Sequence, residues 1–198
     1  MFIIGITGGS GSGKTTVAQF FAKHGGAAID ADAVYHEMLE SCIPMQKEII
    51  ERFPTTRTPD GKVDRSILAH IVFRDDNELG ILNAITQPYM IEELERRFEE
   101  CYRTNLPFVV LDVIRLFESG LSQLCDVTVG VIAPESVRVS RIVERDGINE
   151  LRAWERVRAQ QTNEYYEKKC DHILVNDGEN HVEEAAEALY REIMEENV

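Results

Sequence analysis

The chain is 198 residues long, 43% hydrophobic and 28% charged, with no low-complexity tract, which suits one buried α/β core with room for a small inserted lobe. A formal net charge of −14 argues against nucleic acid as a partner, since its binders spread Lys and Arg over their surface. Cys42, Cys101, Cys125 and Cys170 form no C-x-x-C pair, so neither a zinc site nor a disulfide framework is expected, and with no apolar run near the roughly 18 to 20 residues that cross a bilayer, no membrane partner and a cytoplasmic location are expected.

The opening apolar run enters a glycine loop rather than a cleavage site, so residues 2–7 read as a first strand. Gly8-Gly9-Ser10-Gly11-Ser12-Gly13-Lys14-Thr15 then completes the pattern G-x-x-x-x-G-K-[ST] where it must lie, after a strand and before a helix. Glycines let the backbone turn its N–H groups inward, and the helix N-terminus adds a positive dipole end. Gly9, Ser10, Gly11, Ser12, Gly13, Lys14, Thr15 and Thr16 are therefore the candidates to cradle the phosphates of a nucleoside triphosphate. Lys14 is expected at the β- and γ-phosphates and the Thr15 hydroxyl on Mg²⁺. A dinucleotide fingerprint is excluded, because Gly9, Gly11 and Gly13 are followed by Lys14 where that pattern needs glycine.

A second strand is expected over residues 27–30, ending in Ile29-Asp30-Ala31-Asp32, at the edge where open α/β sheets gather ligands. One of these carboxylates suits a magnesium shell through water and one suits a base for an attacking hydroxyl; the plainer role is to cap a helix beginning at Ala33. Residues 33–105 show helical periodicity without a convincing strand, with a turn at Pro59-Asp60-Gly61 and another helix opening at Asp64-Arg65-Ser66. They read as a helical lobe inserted into a core of residues 1–32 and 106–198.

The third strand is expected over 108–113, where Asp112 ends an apolar run as a second magnesium-shell acid would, or as the acceptor of a structural hydrogen bond. A fourth follows over 127–132. Pro134-Glu135-Ser136 then starts a helix bearing Arg138, Arg141 and Arg145, within a lid over 135–165 that can bring a cation to the transferring phosphoryl group. Arg141 is the expected functional cation, whereas Arg138 is expected on a solvated face beside Glu135 and Glu144. A fifth strand over 172–175 precedes an amphipathic helix over 182–194, docking through Ala185, Ala188, Leu189 and Ile193. The fold class expected is a three-layer α/β parallel sheet of the P-loop NTPase type, with an inserted helical substrate-binding lobe and an arginine-bearing lid.

These features in this order resemble the dephospho-coenzyme A kinase family over nearly the whole length. The resemblance rests on residues 7–16, Ile29-Asp30-Ala31-Asp32, Asp60-Gly61-Lys62-Val63-Asp64-Arg65, Ile71-Val72-Phe73, Leu82-Asn83, Leu116-Phe117-Glu118, Arg141 with Arg145-Asp146-Gly147, Gln160, and residues 171–176. It implies transfer of the ATP γ-phosphate to the ribose 3′-hydroxyl of dephospho-coenzyme A, the last step of coenzyme A synthesis. It implies that Asp32 is the general base, Arg141 the lid arginine, Thr7 a hydroxyl lining the acceptor pocket, and Asn176 and Gly178 neighbours of the adenine. The helical lobe would grip dephospho-coenzyme A.

The chain departs from the family pattern in the expected acceptor region. Ile114-Arg115 stands where Pro-Leu is usual, Gln87 precedes Pro88 where His is usual, and His36 takes a place often held by Arg. Arg115 would supply positive charge for the acceptor's pyrophosphate, or is a surface change. The rival within enzymes is another nucleoside or nucleotide kinase of this fold. A nucleotide-dependent switch is disfavoured because the chain has no N-K-x-D guanine motif, and an inactive relative because its phosphate loop is intact.

Overall fold

The computed structural model describes residues 1–72, 74–178 and 182–197. Five strands, β1 (Phe2–Thr7), β2 (Ala27–Asp30), β3 (Phe108–Asp112), β4 (Val127–Ile132) and β5 (His172–Val175), form one parallel sheet in the order β2-β3-β1-β4-β5. Parallel neighbours need crossover segments rather than tight turns, so each strand is followed by helical chain. The central strand β1 lies between β3 and β4, and its register pairs Ile6 with Asp112 on one side and Val129 on the other.

The three central strands are largely apolar and buried at nearly every position, as strands covered on both faces are, while β2 and β5 at the edges are buried only in part. On one face Ile4, Ile6, Phe108, Val110, Val127, Val129 and Val131 pack with Val17, Ala18 and Phe21 of α1 (Lys14–Ala22) and with Ala186, Leu189 and Ile193 of α9 (Val182–Asn197). On the other, Gly5 leaves room for Cys125 and Leu116, and Gly130 meets Tyr166 of α8 (Asn163–Lys169). The docking face of α9 differs from the sequence reading in one respect: Ala186 is buried, while Ala185 and Ala188 are exposed. Ala186, Leu189 and Ile193 follow the i, i+3, i+7 rhythm of one helix face; Ala185 sits at the edge of that face and Ala188 lies off it.

Between β4 and β5 the chain forms α6 (Glu135–Asp146), α7 (Glu150–Arg158) and α8. Asn149 caps α7 by accepting from Arg152 N at 2.9 Å. The α6–α7 hairpin has its own small core of Val139, Ile142, Ala153 and Val157, flanked by Val143, Ile148 and Trp154. Asp171 staples the start of β5 to β4, accepting from Thr128 N at 2.8 Å and Thr128 Oγ1 at 2.7 Å. None of the four cysteines forms a disulfide among the described residues, and burial pushes the thiols of Cys125 and Cys170 up to about 12, so both are inert fillers.

The chain divides into two compact units, residues 1–30 with 101–198 and residues 31–100. The second unit is helical: α2 (Ala31–Ser41), α3 (Ile43–Arg52), α4 (Arg65–Val72) and most of α5 (Asp76–Arg103). Its one strand-like pairing among the described residues is a bridge between Arg57 and Val63 across the turn at Pro59-Asp60-Gly61. Asp64 opens α4, its Oδ1 accepting from Ser66 N at 2.9 Å and Ile67 N at 3.1 Å, and the Ser66 hydroxyl and these amides hold its carboxyl below the usual range. Helix α2 starts at Ala31, two residues before the expected Ala33, which puts Asp32 inside the first turn, where a carboxylate is favoured by the helix dipole. Phe73 lies outside the described residues.

Ile193 is wholly buried under the sheet, so Ile193→Ala is expected to lower the unfolding free energy by about 2–5 kcal/mol. Ala185→Ser should stay within about 0.5 kcal/mol of wild type. Urea titration of both variants checks the assignment, and equal losses would contradict it.

Candidate active site

The loop of residues 8–13 carries the chain from β1 into α1. Ser12 N donates to Gly9 O at 3.0 Å, making the internal turn, and the first helical bond runs from Val17 N to Gly13 O at 3.1 Å. Among the described residues the backbone amides of Gly11, Gly13, Lys14, Thr15 and Thr16 have no acceptor. Amides at a helix start point off its N-terminal end, and with the dipole they form a concave set of donors for an anion. Gly13 is indispensable: its φ is +94°, and a Cβ there would overlap Asn176 Nδ2.

Beside these donors lies a cluster of side chains. Lys14 Nζ is 2.8 Å from Asp112 Oδ1, with the two side chains 12% and 2% exposed, and Thr15 Oγ1 donates to Asp112 Oδ2 at 2.6 Å. Asp112 Oδ1 is buried, and although it is close enough to the ammonium for ion pairing it accepts no well-directed hydrogen bond. Asp30 is the register partner of Asp112 on the neighbouring strand, so two acids end adjacent strands at the carboxyl edge of the sheet. Hard oxygens from one hydroxyl and one or two carboxylates, one oxygen lacking a directed donor, fit magnesium, which takes few protein ligands and keeps water and phosphate oxygens. No cluster of three or more His, Cys, Asp or Glu is present among the described residues.

Behind the loop the structure corrects the expectation for Arg138. Its side chain is 2% exposed, with Nε donating to Ser10 O at 3.0 Å and NH2 to Gln160 Oε1 at 2.8 Å. A Cβ on Gly9 would lie 2.5 Å from Arg138 Cζ, so the guanidinium is packed against the loop. Burial lowers its pKa from the ordinary value without neutralising it. The missed signal was its place in α6, four residues before Ile142 and beside Val139, on the face that is buried.

Arg141, expected to close over the phosphoryl group, is engaged with the loop's backbone in the free protein. Its NH1 donates to Gly11 O at 3.1 Å, Ser12 O at 3.4 Å and Asn176 O at 3.3 Å, and its NH2 to Asn176 Oδ1 at 2.9 Å. Asn176 is buried and donates through Nδ2 to Ser12 O at 2.8 Å, while Gly178 lies over the same guanidinium. Arg145 is at the surface, paired with Asp146, which also pairs with Arg156. Thr7 is fully buried and donates its hydroxyl to Ile114 O at 3.1 Å, so that hydroxyl is occupied within the protein.

Arg115 is exposed, close enough to Tyr165 to oppose the raised pKa that desolvation and Glu118 give that phenol. Glu118 also accepts from Gln161 Nε2 at 3.0 Å, and the Phe117 ring stands edge-on to Tyr165. Gln87 is half-buried in α5 immediately before Pro88, and Asp32 lies in the first turn of α2; both belong to the helical unit. The structure therefore brings together Lys14, Thr15 and Asp112 in front of the loop, and Arg138, Arg141, Gln160 and Asn176 behind it.

The sequence profile of a family described as dephospho-CoA kinase matches residues 2–182. The dephospho-CoA kinase of Moorella thermoacetica is 41% identical over 162 residues, 81% of this chain and 76% of that one. Among solved structures, TT1252 from Thermus thermophilus superposes with a TM-score of 0.80 at 32% identity, covering 100% of this chain and 98% of that one. Dephospho-CoA kinase from Campylobacter jejuni superposes with a TM-score of 0.66 at 25% identity, covering 99% and 98%. The fold class read from the sequence is thus the one observed.

Gly13→Ala would strain the left-handed turn and push Asn176 off Ser12, and is expected to weaken ATP binding by about 10-fold or more. Calorimetric titration measures it; wild-type affinity in the variant would show that the loop tolerates displacement.

Proposed function

We infer the reaction from the family, for this chain belongs to the dephospho-CoA kinase family, and we propose that it transfers the ATP γ-phosphoryl group to the ribose 3′-hydroxyl of dephospho-CoA. The observation that carries the donor half is the row of open amides next to Lys14, Thr15 and Asp112. In the free protein the Lys14 ammonium neutralises Asp112. With triphosphate on the amides, Lys14 turns its charge toward the β- and γ-oxygens, and Asp112 and Thr15 are left to hold magnesium. Magnesium bound there would neutralise charge across the β- and γ-phosphates.

Phosphoryl transfer needs little covalent help from the protein, so positioning and charge stabilisation dominate. Asp32 is assigned the role of accepting the 3′-hydroxyl proton, on the strength of the family resemblance. Arg141, with its fork on Gly11, Ser12 and Asn176, acts as a brace of the loop and, with Asn176 and Gly178, borders the adenine side. Arg115 and Gln87 are assigned to the acceptor, Arg115 as a cation for its pyrophosphate. Thr7 is assigned to the acceptor pocket on the strength of the family resemblance, its hydroxyl donating to Ile114 O and keeping its acceptor capacity.

Two measurements test this reading. With ATP and Mg²⁺, dephospho-CoA should outcompete uridine, cytidine and nucleoside monophosphates as acceptor; preference for one of those would make Arg115, Gln87 and His36 marks of a different kinase. Asp32→Asn should lower kcat by about 10²–10⁴-fold while leaving ATP affinity near wild type. Undiminished turnover would remove Asp32 from the base role.

A further inference from the structure

Behind the phosphate loop lies a closed polar network centred on Ser10. Gln160, just past the end of α7, accepts through Oε1 from Ser10 N at 2.8 Å and from Arg138 NH2 at 2.8 Å, and donates through Nε2 to Ser10 Oγ at 3.0 Å. Arg138 Nε donates to Ser10 O at 3.0 Å. Ser10 is gripped by its amide, its carbonyl and its hydroxyl at once. The two gripping side chains come from the two arms of the α6–α7 hairpin, which its own apolar core makes a single piece. Among the described residues no carboxylate comes within ion-pair distance of Arg138, so Gln160 Oε1 and Ser10 O are the acceptors on which this buried charge depends.

The network divides the loop's donors into two sets. The Ser10 amide is engaged by Gln160, whereas those of Gly11, Gly13, Lys14, Thr15 and Thr16 are open. A glycine-rich loop loses backbone entropy for each residue it fixes, so converging donors need an external restraint. The chemistry of the restraint is specific. A carboxamide can accept twice and donate once at this spot, and a guanidinium can donate along two directions in one plane, which a lysine ammonium cannot match.

We propose that Gln160 and Arg138 form a clamp that sets the geometry of the phosphate loop, making both of them positioning residues for phosphoryl transfer. Neither touches the transferring group; they act through Ser10 on the amides that do. An error of about 1 Å in placing reacting atoms costs about 100-fold in rate, so loosening the clamp should appear in turnover more than in acceptor binding.

The rate measurement rests on the kinase reading above, and the donor-side measurements do not. In Gln160→Ala the Ser10 amide should exchange with solvent about 10-fold faster or more, read by NMR without any acceptor. The same variant should lose about 10–100-fold in kcat with the KM for dephospho-CoA within about threefold of wild type. Gln160→Glu, which keeps the shared acceptor, should restore slow exchange at Ser10, and Arg138→Lys, which keeps the charge without the fork, should not restore turnover. Wild-type exchange at Ser10 in Gln160→Ala, or a kcat within about twofold of wild type in the folded variant, would overturn the clamp. If wild-type protein transfers nothing to dephospho-CoA, the acceptor assignment fails, and Ser10 exchange still decides for or against the clamp.

Discussion

A row of unmet backbone donors is the constraint on which the rest of the molecule depends. Leaving a hydrogen-bonding group without a partner away from water costs about 1–3 kcal/mol, so the amides of Gly11, Gly13, Lys14, Thr15 and Thr16 must face solvent or an anion. The backbone that carries them cannot be held from that same side. It is held from behind, where Asn176 and Arg141 take the carbonyls of Gly11 and Ser12, and Arg138 and Gln160 take Ser10. These braces stand on β5 and on the α6–α7 hairpin, and β1 delivers the loop from the middle of the sheet. The parallel sheet thus exists, functionally, to bring distant chain segments to one loop.

The same arrangement explains how a chain of net charge −14 can be suited to a polyanion. Lys14, Arg138 and Arg141 converge on eight residues of backbone, and two of them are bonded to its carbonyls. Local charge and aligned amide dipoles govern a concave site more than the distant surface does, which salt and water screen. Asp112 holds Lys14 and Thr15 in place in the free protein, so the group that would share a magnesium ion also keeps the lysine from wandering.

Much of this was legible in the sequence, and the reasons are physical. Strands buried on both faces are uninterrupted apolar runs, so all five were found, with β3 closing on Asp112 one residue before the expected end. The phosphate loop was legible because its chemistry demands particular residues at fixed spacing. What escaped was direction. Arg138 and Arg141 are three residues apart on an evidently charged helix, with Arg141 expected at the phosphoryl group and Arg138 on the solvated face, but the helix face that carries Val139 and Ile142 also carries Arg138 into the protein. Gln160 was noticed only through family resemblance, because a lone glutamine carries no pattern of its own until Ser10 is placed against it. Asp32 was read as preceding a helix that in fact includes it, since Ala31 has no feature to mark the start.

Protection of the loop amides when a non-hydrolysable ATP analogue and Mg²⁺ are added tests the account most directly. The amides of Gly11, Gly13, Lys14, Thr15 and Thr16 should slow their exchange together in the wild type, with Ser10 already slow beforehand, and the effect should be lost in Lys14→Ala at the same ligand concentration. Binding that leaves those five amides exchanging as in the free protein would mean that the triphosphate is held elsewhere, and would contradict the assignment of this loop as the donor site.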